Sequence, residues 1–586
     1  MTQHQSNRKT KVWNSIIILL SIIGLIVCIT ILFPQVRQMI IDFAAQMANK
    51  DASKYQIWRE VLLSYALGGI CLILFFDYCM LTDSGRLLVQ KVKQEIKDCW
   101  SEIDFRSFLK PSIILSGVYF LGILTIVRAN FLYKDDIGRA AEGYQGWLFW
   151  SRHASEILSV FIHADTVLTD ISPLPQLLAI LMLSLSSVFL VYIIANKKIT
   201  IVGLLASIPL GLSPYFLECL SFKFDSPYMA LSVLTSIFPF LFISRRKAFL
   251  FISVASLLIM CTTYQAASGI YIMIAVVLCF QYWNSREKTN KEILSFLGIS
   301  VIAFCSTMLL YKFFILKAVD IESGGYAANS MLPLSHIVSG TLGNIKEYIM
   351  TINHDFGMIW KIVIVIVLLF FIIKSVYSSA QRKIFSFFIS ILIIVLSFIL
   401  SFGLYSLLEA PLFDPRSLYG FGAFLAIVCV YISNYKKASI VTVLALNWCF
   451  MVFAFSYGNA LADQNRYTNF RITLLLHDLS ILYPNRNIED IPIQFNNSVE
   501  FTPTIKNIAK HYPVIERLVH TQLGEKDYFA YVYLLRYFNW GYPRRQDVSL
   551  SEGYVDFREY DLPVVLDSYY HTIQNDGERI LVILKH

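Results

Sequence analysis

The sequence predicts an all-α polytopic membrane protein with a small mixed α/β extracytoplasmic domain at its C-terminal end. Its 586 residues are 56% hydrophobic and 15% charged, whereas about 25% of the residues of a typical soluble protein are charged. Long apolar stretches recur through the first 457 residues. Between them, short basic segments alternate with longer loops of mixed composition. The basic excess therefore indicates membrane topology, and we expect a lipid bilayer but no nucleic acid as a partner.

Apolar stretches of about 18 residues or more predict transmembrane helices. The first follows Arg8, Lys9 and Lys11 and lacks a small-residue cleavage site, so we interpret it as a retained anchor. Only Tyr264-Gln265-Ala266 separates the seventh from the eighth. We predict about thirteen spans in all: 13–33, 60–81, 111–129, 175–195, 199–216, 227–244, 248–264, 267–283, 292–314, 358–378, 384–403, 417–434 and 438–457.

The distribution of Lys and Arg predicts the orientation. If the N-terminus is cytoplasmic, the cytoplasmic segments of the membrane part contain 22 Lys and Arg residues, and its longer outer loops contain 14. These cytoplasmic segments are 1–12, 82–110, 196–198, 245–247, 284–291, 374–383 and 435–437. Every second loop is thus short and basic, as the positive-inside rule requires. An odd number of spans then places the C-terminus on the outer face.

The chain is predicted to have three parts. Residues 1–110 hold two spans and two amphipathic stretches, within 36–47 and 88–99, that suit the membrane interface. Residues 111–457 hold the other eleven spans. From 458 to 586 the hydropathy falls, which indicates an extracytoplasmic domain without a catalytic motif. In that domain we predict a helix within Ile505–His520, strands at Pro563–Leu566 and Ile580–Lys585, and a turn at Asn575-Asp576-Gly577.

Candidate functional side chains are concentrated in the outer loops. Loop 130–173 and the start of the next span contribute Asp135, Asp136, Arg139, Tyr144, Trp147, Arg152, Asp170 and Gln176. Loops 213–227, 264–268 and 409–420 contribute Glu218, Lys223, Asp225, Gln265, Arg416 and Tyr419. Carboxylates accept hydroxyl protons, aromatic rings stack on sugars, and Arg or Lys neutralises phosphate. The composition predicts a site for a carbohydrate and a phosphate.

Adjacent carboxylates such as Asp135 and Asp136 can raise one another's pKa and prepare a general base. The alternative is a solvated loop with a helix cap at Asp136. Tyr144 and Trp147 would stack on sugar, or instead anchor the loop at the interface. Asp170, Glu218 and Asp225 would bind sugar hydroxyls or pair with nearby cations, and these alternatives stay open in the sequence.

Several motifs in this order resemble the Gtr-type, serotype-converting O-antigen glucosyltransferases of bacteria. They are Asp135-Asp136-x-x-Arg139, Gly143-Tyr144-x-Gly146-Trp147, Arg152, Asp170-x-x-Pro173-Leu174-Pro175-Gln176, Ser213-Pro214-Tyr215-Phe216, Lys223-Phe224-Asp225-Ser226-Pro227, Tyr264-Gln265-Ala266, Pro415-Arg416-x-Leu418-Tyr419-Gly420 and Tyr457-Gly458-Asn459-Ala460. The resemblance covers roughly 113–480. The first 110 residues look like an addition to the family's core.

The resemblance implies a GT-C-like catalytic core in 111–457. Such an enzyme takes glucose, or another hexose, from an undecaprenyl-phosphate carrier at the outer face of the bacterial inner membrane. It passes the sugar to a polysaccharide or lipid-linked glycan acceptor. The N-terminus would be cytoplasmic and the C-terminus periplasmic. By resemblance the base is an acidic residue of loop 130–173, first Asp135 and second Asp136.

The remaining candidates follow from the chemistry of transfer. Arg139, Arg152, Lys223 and Arg416 would stabilise the phosphate leaving group. Tyr144, Trp147, Asp170, Gln176, Glu218, Asp225, Gln265 and Tyr419 would bind the sugar or the acceptor. A single base with no covalent nucleophile favours an inverting displacement. No ligand spacing requires a cofactor, although a divalent cation is compatible with the carboxylates.

Two other functional classes compete with this prediction. A transporter or lipid-linked sugar flippase would place polar groups at the bilayer midplane and show internal repeats, but the chain has few mid-span charges and no convincing repeat. An O-antigen polymerase or ligase would rely on outer Arg and His groups without a paired Asp loop. The sequence specifies neither the acceptor nor the linkage.

Overall fold

The computed structural model describes residues 3–47, 57–316, 330–484, 492–524, 537–538 and 555–585. The structure is 74% helical, with a small sheet near the C-terminus, which confirms the predicted fold class. The helices of the first 482 residues are α1 (Gln3–Ile31), α2 (Pro34–Met47), α3 (Ile57–Leu81), α4 (Asp83–Glu102), α5 (Arg106–Ala129), α6 (Asp135–Glu142), α7 (His153–His163), α8 (Leu174–Ile194), α9 (Ile201–Ala206), α10 (Pro209–Leu212), α11 (Pro214–Ser221), α12 (Ser226–Ile237), α13 (Arg246–Thr263), α14 (Ser268–Ser285), α15 (Asn290–Phe314), α16 (Ile337–Asp355), α17 (Met358–Tyr377), α18 (Lys383–Leu400), α19 (Gly420–Ile432) and α20 (Lys437–Leu482).

Among the described residues, ten helices are long and apolar enough to cross a membrane: α1, α3, α5, α8, α13, α14, α15, α17, α18 and α20. They coincide with ten of the thirteen predicted spans. The predicted span 199–216 is instead a broken pair, Ile201–Leu212 and Pro214–Ser221, bent by 62°. Pro214 cannot continue the preceding helix because it lacks an N–H and clashes with the previous turn.

The remaining two predicted spans, 227–244 and 417–434, form helices that are shorter than a bilayer requires. They correspond to the apolar helices Ser226–Phe242 and Gly420–Ile432. Every residue of α19 is buried, so this helix is surrounded by protein and need not match the thickness of the lipid. The prediction of thirteen spans is therefore too high for full-length helices, of which the described residues contain ten, or eleven with the broken pair.

Alternate loops nevertheless meet at opposite ends of the helix bundle. At one end, called here the site end, Lys223 N–H donates to Asp136 at 2.8 Å, and Lys134 pairs with Asp414 at 3.1 Å. At the other, the basic end, contacts join the Lys- and Arg-rich segments. There Arg245 pairs with Glu102 at 3.3 Å, and Ala380 N–H donates to the Asn284 carbonyl at 2.8 Å. The grouping of loops agrees with the predicted alternation.

Helices α1 to α4 form a unit beside the rest of the bundle. Helices α1 and α3 pair with each other, while α3 packs on α15 and α4 packs on α13. Arg37 in α2 donates to the carbonyls of Ile31 and Leu32, at 3.0 and 2.6 Å. It thereby provides hydrogen bonds to two carbonyl groups at the C-terminal end of α1. Glu95 in α4 accepts from the N–H groups of Lys247 and Ala248.

Helix α20 crosses the predicted domain boundary at 457/458 without a break. Its 46 residues extend about 69 Å at 1.5 Å per residue, twice the ~30 Å of a hydrocarbon core. Gly458 lies where α20 meets α5, and a Cβ there would overlap the Thr125 side chain and backbone. Beyond this contact, Ile472 and Leu475 pack against the C-terminal sheet.

The C-terminal sheet has the strand order β1-β4-β3-β2. Its strands are β1 (Ile493–Asn496), β2 (Val564–Asp567), β3 (His571–Asn575) and β4 (Ile580–Leu584), with β1 parallel to β4 and the other pairs antiparallel. Strands β2 and β4 and the turn at Gly577, where φ is 93°, confirm the sequence prediction. Strands β1 and β3 were not predicted.

Residues 503–523 pack on the membrane-spanning bundle. They form the short helices α21 (Pro503–Ala509) and α22 (Ile515–Leu518), which replace the single predicted helix because Pro513 interrupts it. Ile505 and Val519 are fully buried in the main hydrophobic core. This part of the C-terminal region therefore belongs structurally to the bundle.

Candidate functional site

The paired carboxylates begin a short helix at the site end. Asn130, at φ 48°, ends α5, and Lys134, at φ 49°, redirects the chain into α6. Asp135 and Asp136 occupy the first turn of α6, where the helix dipole favours negative charge. Successive helical residues diverge by about 100°. As a result, Asp135 is exposed and Asp136 is completely buried.

Asp136 connects two loops that are far apart in sequence. Its Oδ2 accepts from the N–H groups of Tyr133 at 3.2 Å and Lys223 at 2.8 Å. Its Oδ1 is buried and has no hydrogen-bond partner among the described residues. Burial raises the pKa of Asp136 to about 8, with a further increase from the Asp225 charge and an opposing effect of the Lys223 N–H. At neutral pH the side chain is thus largely protonated.

Arg139 and Trp147 hold a second buried carboxylate. Arg139 forms an ion pair with Asp225, and the Trp147 indole N–H donates to the same carboxylate at 2.5 Å. The guanidinium also lies 4.4 Å from the centre of the Trp147 ring. All three side chains are buried. This is the cation pairing left open for Asp225, and it leaves Arg139 and Trp147 inaccessible to the phosphate and sugar predicted to contact them.

Lys223 is also neutralised by protein groups. Its Nζ lies 2.7 Å from Asp170 Oδ2 and 2.7 Å from Asn130 Oδ1. Only 4% of the residue is exposed, whereas Asp170 is open to solvent. The ion pair ties the end of loop 130–173 to loop 213–227.

Glu218 joins three separate segments of the chain. This fully buried residue accepts from the Tyr133 hydroxyl at 3.2 Å and from the Arg416 backbone N–H. It pairs with Lys134 at 3.4 Å, and His520 Nε2 lies 3.9 Å away. For Glu218 the sequence left open a contact with a sugar hydroxyl or a pair with a nearby cation. The structure shows the pair with a cation, and Glu218 has no exposed oxygen for a sugar.

Arg152 and Arg416 differ from the two neutralised cations. The Arg152 guanidinium lies 4.6 Å from the centre of the Tyr264 ring. Within the part of the chain that the structure describes, Arg152 has no carboxylate partner, and its buried Nε makes no hydrogen bond. Among the described residues, the Arg416 side chain forms an ion pair with the partly exposed Asp414 alone, at 3.3 Å, although Glu218 and Asp135 lie within electrostatic range. Both arginines are half-buried, and a cation withdrawn from water is costly unless an anion compensates it, so the two are suited to an anionic ligand.

The other predicted contact residues differ in their burial and in their partners. Tyr419 is buried, stacks on Tyr264 with ring centres 6.0 Å apart, and meets Ser232 Oγ at 3.1 Å. Gln265 donates to the Tyr311 hydroxyl at 2.5 Å. Further along, Gln176 is buried and accepts from Ser172 at 3.3 Å, and Tyr144 is half-buried. Within the described residues, no group of three or more His, Cys, Asp or Glu residues could hold a metal ion.

The C-terminal segment 513–523 contacts the paired-Asp loop directly. The Tyr133 hydroxyl donates to the Leu518 carbonyl at 2.8 Å, and Gln522 donates to the Leu132 carbonyl. Arg517 pairs with the fully buried Asp355. Burial raises the pKa of Asp355, an effect that the Arg517 charge opposes. The contacts of Leu518 and Gln522 fix the loop to this segment.

The comparison with protein families decides the identity of this core. A family model described as "Glucosyl transferase GtrII" matches residues 124–427, which is more than half of the chain and includes every predicted site residue. The chain belongs to the glucosyl transferase GtrII family. A relative from Salmonella phage P22, described as an uncharacterized 55.3 kDa protein in the gtrB 5' region, is 23% identical over 439 residues, which cover 71% of this chain and 86% of the relative. No solved structure matches the chain.

Membership of the GtrII family confirms the resemblance seen in the motifs and assigns glucosyl transfer to this membrane protein. Two groups of contacts lie outside the GtrII match. On the C-terminal side are Arg517, Leu518 and Gln522; on the N-terminal side, the Tyr65 hydroxyl is hydrogen-bonded to His153 at 2.5 Å. Sequence reasoning missed them because neither region carries a local motif, and the fall in hydropathy after 457 indicated a separate domain.

Proposed function

We propose that this protein transfers glucose from undecaprenyl-phosphate-glucose to an O-antigen or other surface polysaccharide at the outer face of the bacterial inner membrane. In this proposal the N-terminus is cytoplasmic, and the site end and the C-terminus are periplasmic. Residues 111–457 form the catalytic core, 1–110 an N-terminal extension and 458–586 the extracytoplasmic part. Glucosyl transfer follows from the family, and the positive-inside pattern supports the orientation.

The observation that carries the mechanism is the contrast between the two adjacent aspartates. A general base must reach the acceptor hydroxyl. Asp135 is exposed at the first turn of α6, whereas Asp136 is fully buried and occupied by two backbone N–H groups. Accessibility therefore favours Asp135 as the base. Asp136 instead holds the loop that presents it.

The two arginines without a full complement of acidic partners suit the donor phosphate. Arg416 is in electrostatic range of Asp135, and Arg152 shares with Arg416 the neighbouring ring of Tyr264. Fixed cations next to the position where charge develops stabilise a leaving group without reorganisation. Arg139 and Lys223 keep their buried carboxylates and support the loop.

The reaction is then a single displacement. Asp135 accepts the proton of the acceptor hydroxyl while that oxygen attacks the anomeric carbon of glucose. The bond from this carbon to the phosphate oxygen breaks, and its electron pair leaves with the polyprenyl phosphate. Arg152 and Arg416 neutralise the charge on that phosphate. One displacement inverts the configuration at the anomeric carbon.

Sugar and acceptor contacts come from the more accessible residues around this centre. Tyr144 is half-buried and Asp170 is exposed in loop 130–173, and both suit the acceptor hydroxyls. Gln265 is half-buried next to Tyr264 and suits the donor glucose. Tyr419 is fully buried and stacks on Tyr264, so it acts by positioning that ring beside Arg152. Gln176, Glu218, Asp225 and Trp147 act through the residues that they position.

Transfer by the purified full-length protein tests the base. In nanodiscs with undecaprenyl-phosphate-glucose and O-antigen polysaccharide, Asp135→Asn should reduce glucose transfer by about 10²–10⁴-fold. The matched control is Asp165→Asn, an exposed aspartate of the same loop, which should transfer at the wild-type rate. Undiminished transfer by Asp135→Asn would remove Asp135 as the base. Transfer of no glucose by the wild-type protein would reject the proposed donor or acceptor.

A further inference from the structure

The N-terminal extension reaches the site at one hydrogen bond. Tyr65 lies on α3, eight residues from the beginning of that helix. Its hydroxyl is 2.5 Å from His153 Nδ1, and the two ring centres are 5.2 Å apart. His153 is 6% exposed. The GtrII match begins at residue 124, so no comparison assigns a role to Tyr65.

His153 directly follows Arg152, and the local backbone makes their positions interdependent. Ser151 adopts φ 54°, which turns the chain sharply before α7. The Arg152 N–H donates to the Trp147 carbonyl at 3.1 Å, and the Arg152 carbonyl accepts from Glu156 N–H at 3.1 Å. Arg152 thus lies at a sharp turn of the chain, called here the corner. The residue after it, His153, is hydrogen-bonded to α3.

Further hydrogen bonds of this corner come from its own loop. Glu156 accepts from the Trp147 N–H at 3.0 Å, and Gln145 donates to Ser159 at 2.8 Å. These bonds fix α7 to the preceding 3₁₀ turn, Trp147–Trp150, and Trp147 in turn donates to Asp225 in loop 213–227. The bond from Tyr65 adds a tie from the residue next to Arg152 to a helix of the N-terminal extension.

We propose that Tyr65 is a positioning residue for the phosphate of the lipid-linked donor, acting through His153 on Arg152. The N-terminal pair of spans is then a functional part of the donor site and more than a membrane anchor. The inference rests on the proposed role of Arg152 in binding phosphate. Tyr65 itself touches neither the sugar nor the reacting atoms.

Donor kinetics of the full-length protein test this role. With undecaprenyl-phosphate-glucose as the varied substrate, Tyr65→Phe should raise the donor KM about five-fold, the effect of losing one ordinary hydrogen bond, and leave kcat within about two-fold. Tyr78→Phe, at an exposed tyrosine on the same helix, is the matched control and should leave both constants unchanged. An unchanged donor KM in Tyr65→Phe overturns the inference.

Substitutions of His153 provide a second test that does not depend on the folding of Tyr65→Phe. Asn places an amide group near the position of Nδ1 and should retain most of the donor affinity. Leu cannot hydrogen-bond and should raise the donor KM as Tyr65→Phe does. Equal KM values for His153→Asn and His153→Leu would contradict a role for this hydrogen bond.

A double variant shows whether the effect passes through Arg152. If it does, adding Tyr65→Phe to Arg152→Ala should change the donor KM little further, whereas independent effects would multiply. Multiplying effects overturn the inference. If Arg152→Ala alone leaves the donor KM unchanged, the phosphate assignment fails and this inference fails with it. If Arg152→Ala raises the KM and Tyr65→Phe does not, the inference fails alone.

Discussion

The Arg152 guanidinium lies 4.6 Å from the centre of the Tyr264 ring, and no carboxylate of the described residues neutralises it. Arg139, only thirteen positions earlier, is buried against Asp225 and Trp147. The same residue type thus occurs in two electrostatic situations within one loop. A cation with a full set of protein partners stabilises the fold, and one without them is available to a ligand.

This contrast predicts opposite consequences for two substitutions. Arg152→Ala should raise the donor KM with little loss of stability, and Arg152→Lys should restore only part of the affinity because Lys lacks the planar fork of Arg. Arg139→Ala should lower the free energy of unfolding by about 3–5 kcal/mol, because Asp225 is left buried and unpaired. Donor kinetics and thermal unfolding in detergent measure the two effects. Normal stability of Arg139→Ala would contradict the buried ion pair.

Arg416 should behave as Arg152 does. We expect Arg416→Ala to weaken the use of undecaprenyl-phosphate-glucose more than it affects membrane level, since the partly exposed Asp414 is its one ion-pair partner among the described residues. Arg416→Lys should recover part of the activity. Wild-type donor KM and kcat in both Ala variants would exclude the arginine pair from the site.

Asp136 should make stability depend on pH. Its pKa is about 8 in the folded protein and about 3.9 in an unfolded chain, so the folded state retains a proton that the unfolded chain releases. The stabilisation is fully present below about pH 4 and is lost as pH rises to about 8, by up to about 1.4 kcal/mol per pH unit. Asp136→Asn keeps the acceptor oxygen but cannot ionise. The midpoint temperature of unfolding of this variant should therefore change less between pH 5 and 8 than that of the wild-type protein. Parallel pH profiles for the two proteins would disprove the shift.

Gly458 should be intolerant of a side chain. Because a Cβ at this position overlaps Thr125, Gly458→Val should separate α20 from α5 and destabilise the protein by about 1–3 kcal/mol. Gly298→Val in α15 is the matched control, since a Cβ there has no neighbour within 4 Å. We expect thermal unfolding to distinguish the two, and equal midpoints would refute the close helix contact.

Reporter fusions test the orientation. The alternating basic segments and the location of the C-terminal region at the site end predict a periplasmic C-terminus. Alkaline phosphatase fused after His586 should be active, and a cytoplasmic reporter at the same point should not. The reverse result would invert the proposed topology and place the site in the cytoplasm.

The sequence predicted where the apolar helices lie better than it predicted their form. Hydropathy detects an apolar stretch such as 417–434, but it cannot tell a lipid-facing span from the fully buried α19. Whether an apolar helix must match the bilayer depends on what surrounds it. The break at Pro214 could be expected from its chemistry, although not the 62° bend.

The sequence also predicted the loops that meet at the site end but could not rank their residues. Arg139, Arg152, Lys223 and Arg416 are equivalent in a sequence, because their roles depend on partners that are distant along the chain. Asp225 lies 86 positions from Arg139, and Asp170 lies 53 from Lys223. Only folding shows which cations these carboxylates neutralise. The contacts of Tyr65 and Leu518 were unpredictable for the same reason.

The bond between the Tyr133 hydroxyl and the Leu518 carbonyl joins residues 385 positions apart. This separation determines how late during synthesis the bond can form. The paired-Asp loop is synthesised early, but its partner emerges only after almost the whole membrane bundle. At about 5–20 residues per second, translation takes roughly 20–80 s to cover that interval. During this time the loop is held by Lys223 and Asp225 but lacks its C-terminal partner. The proposed site is therefore completed only when the end of the chain folds back onto it, and we expect a chain that stops short of Leu518 to enter the membrane but to transfer less glucose.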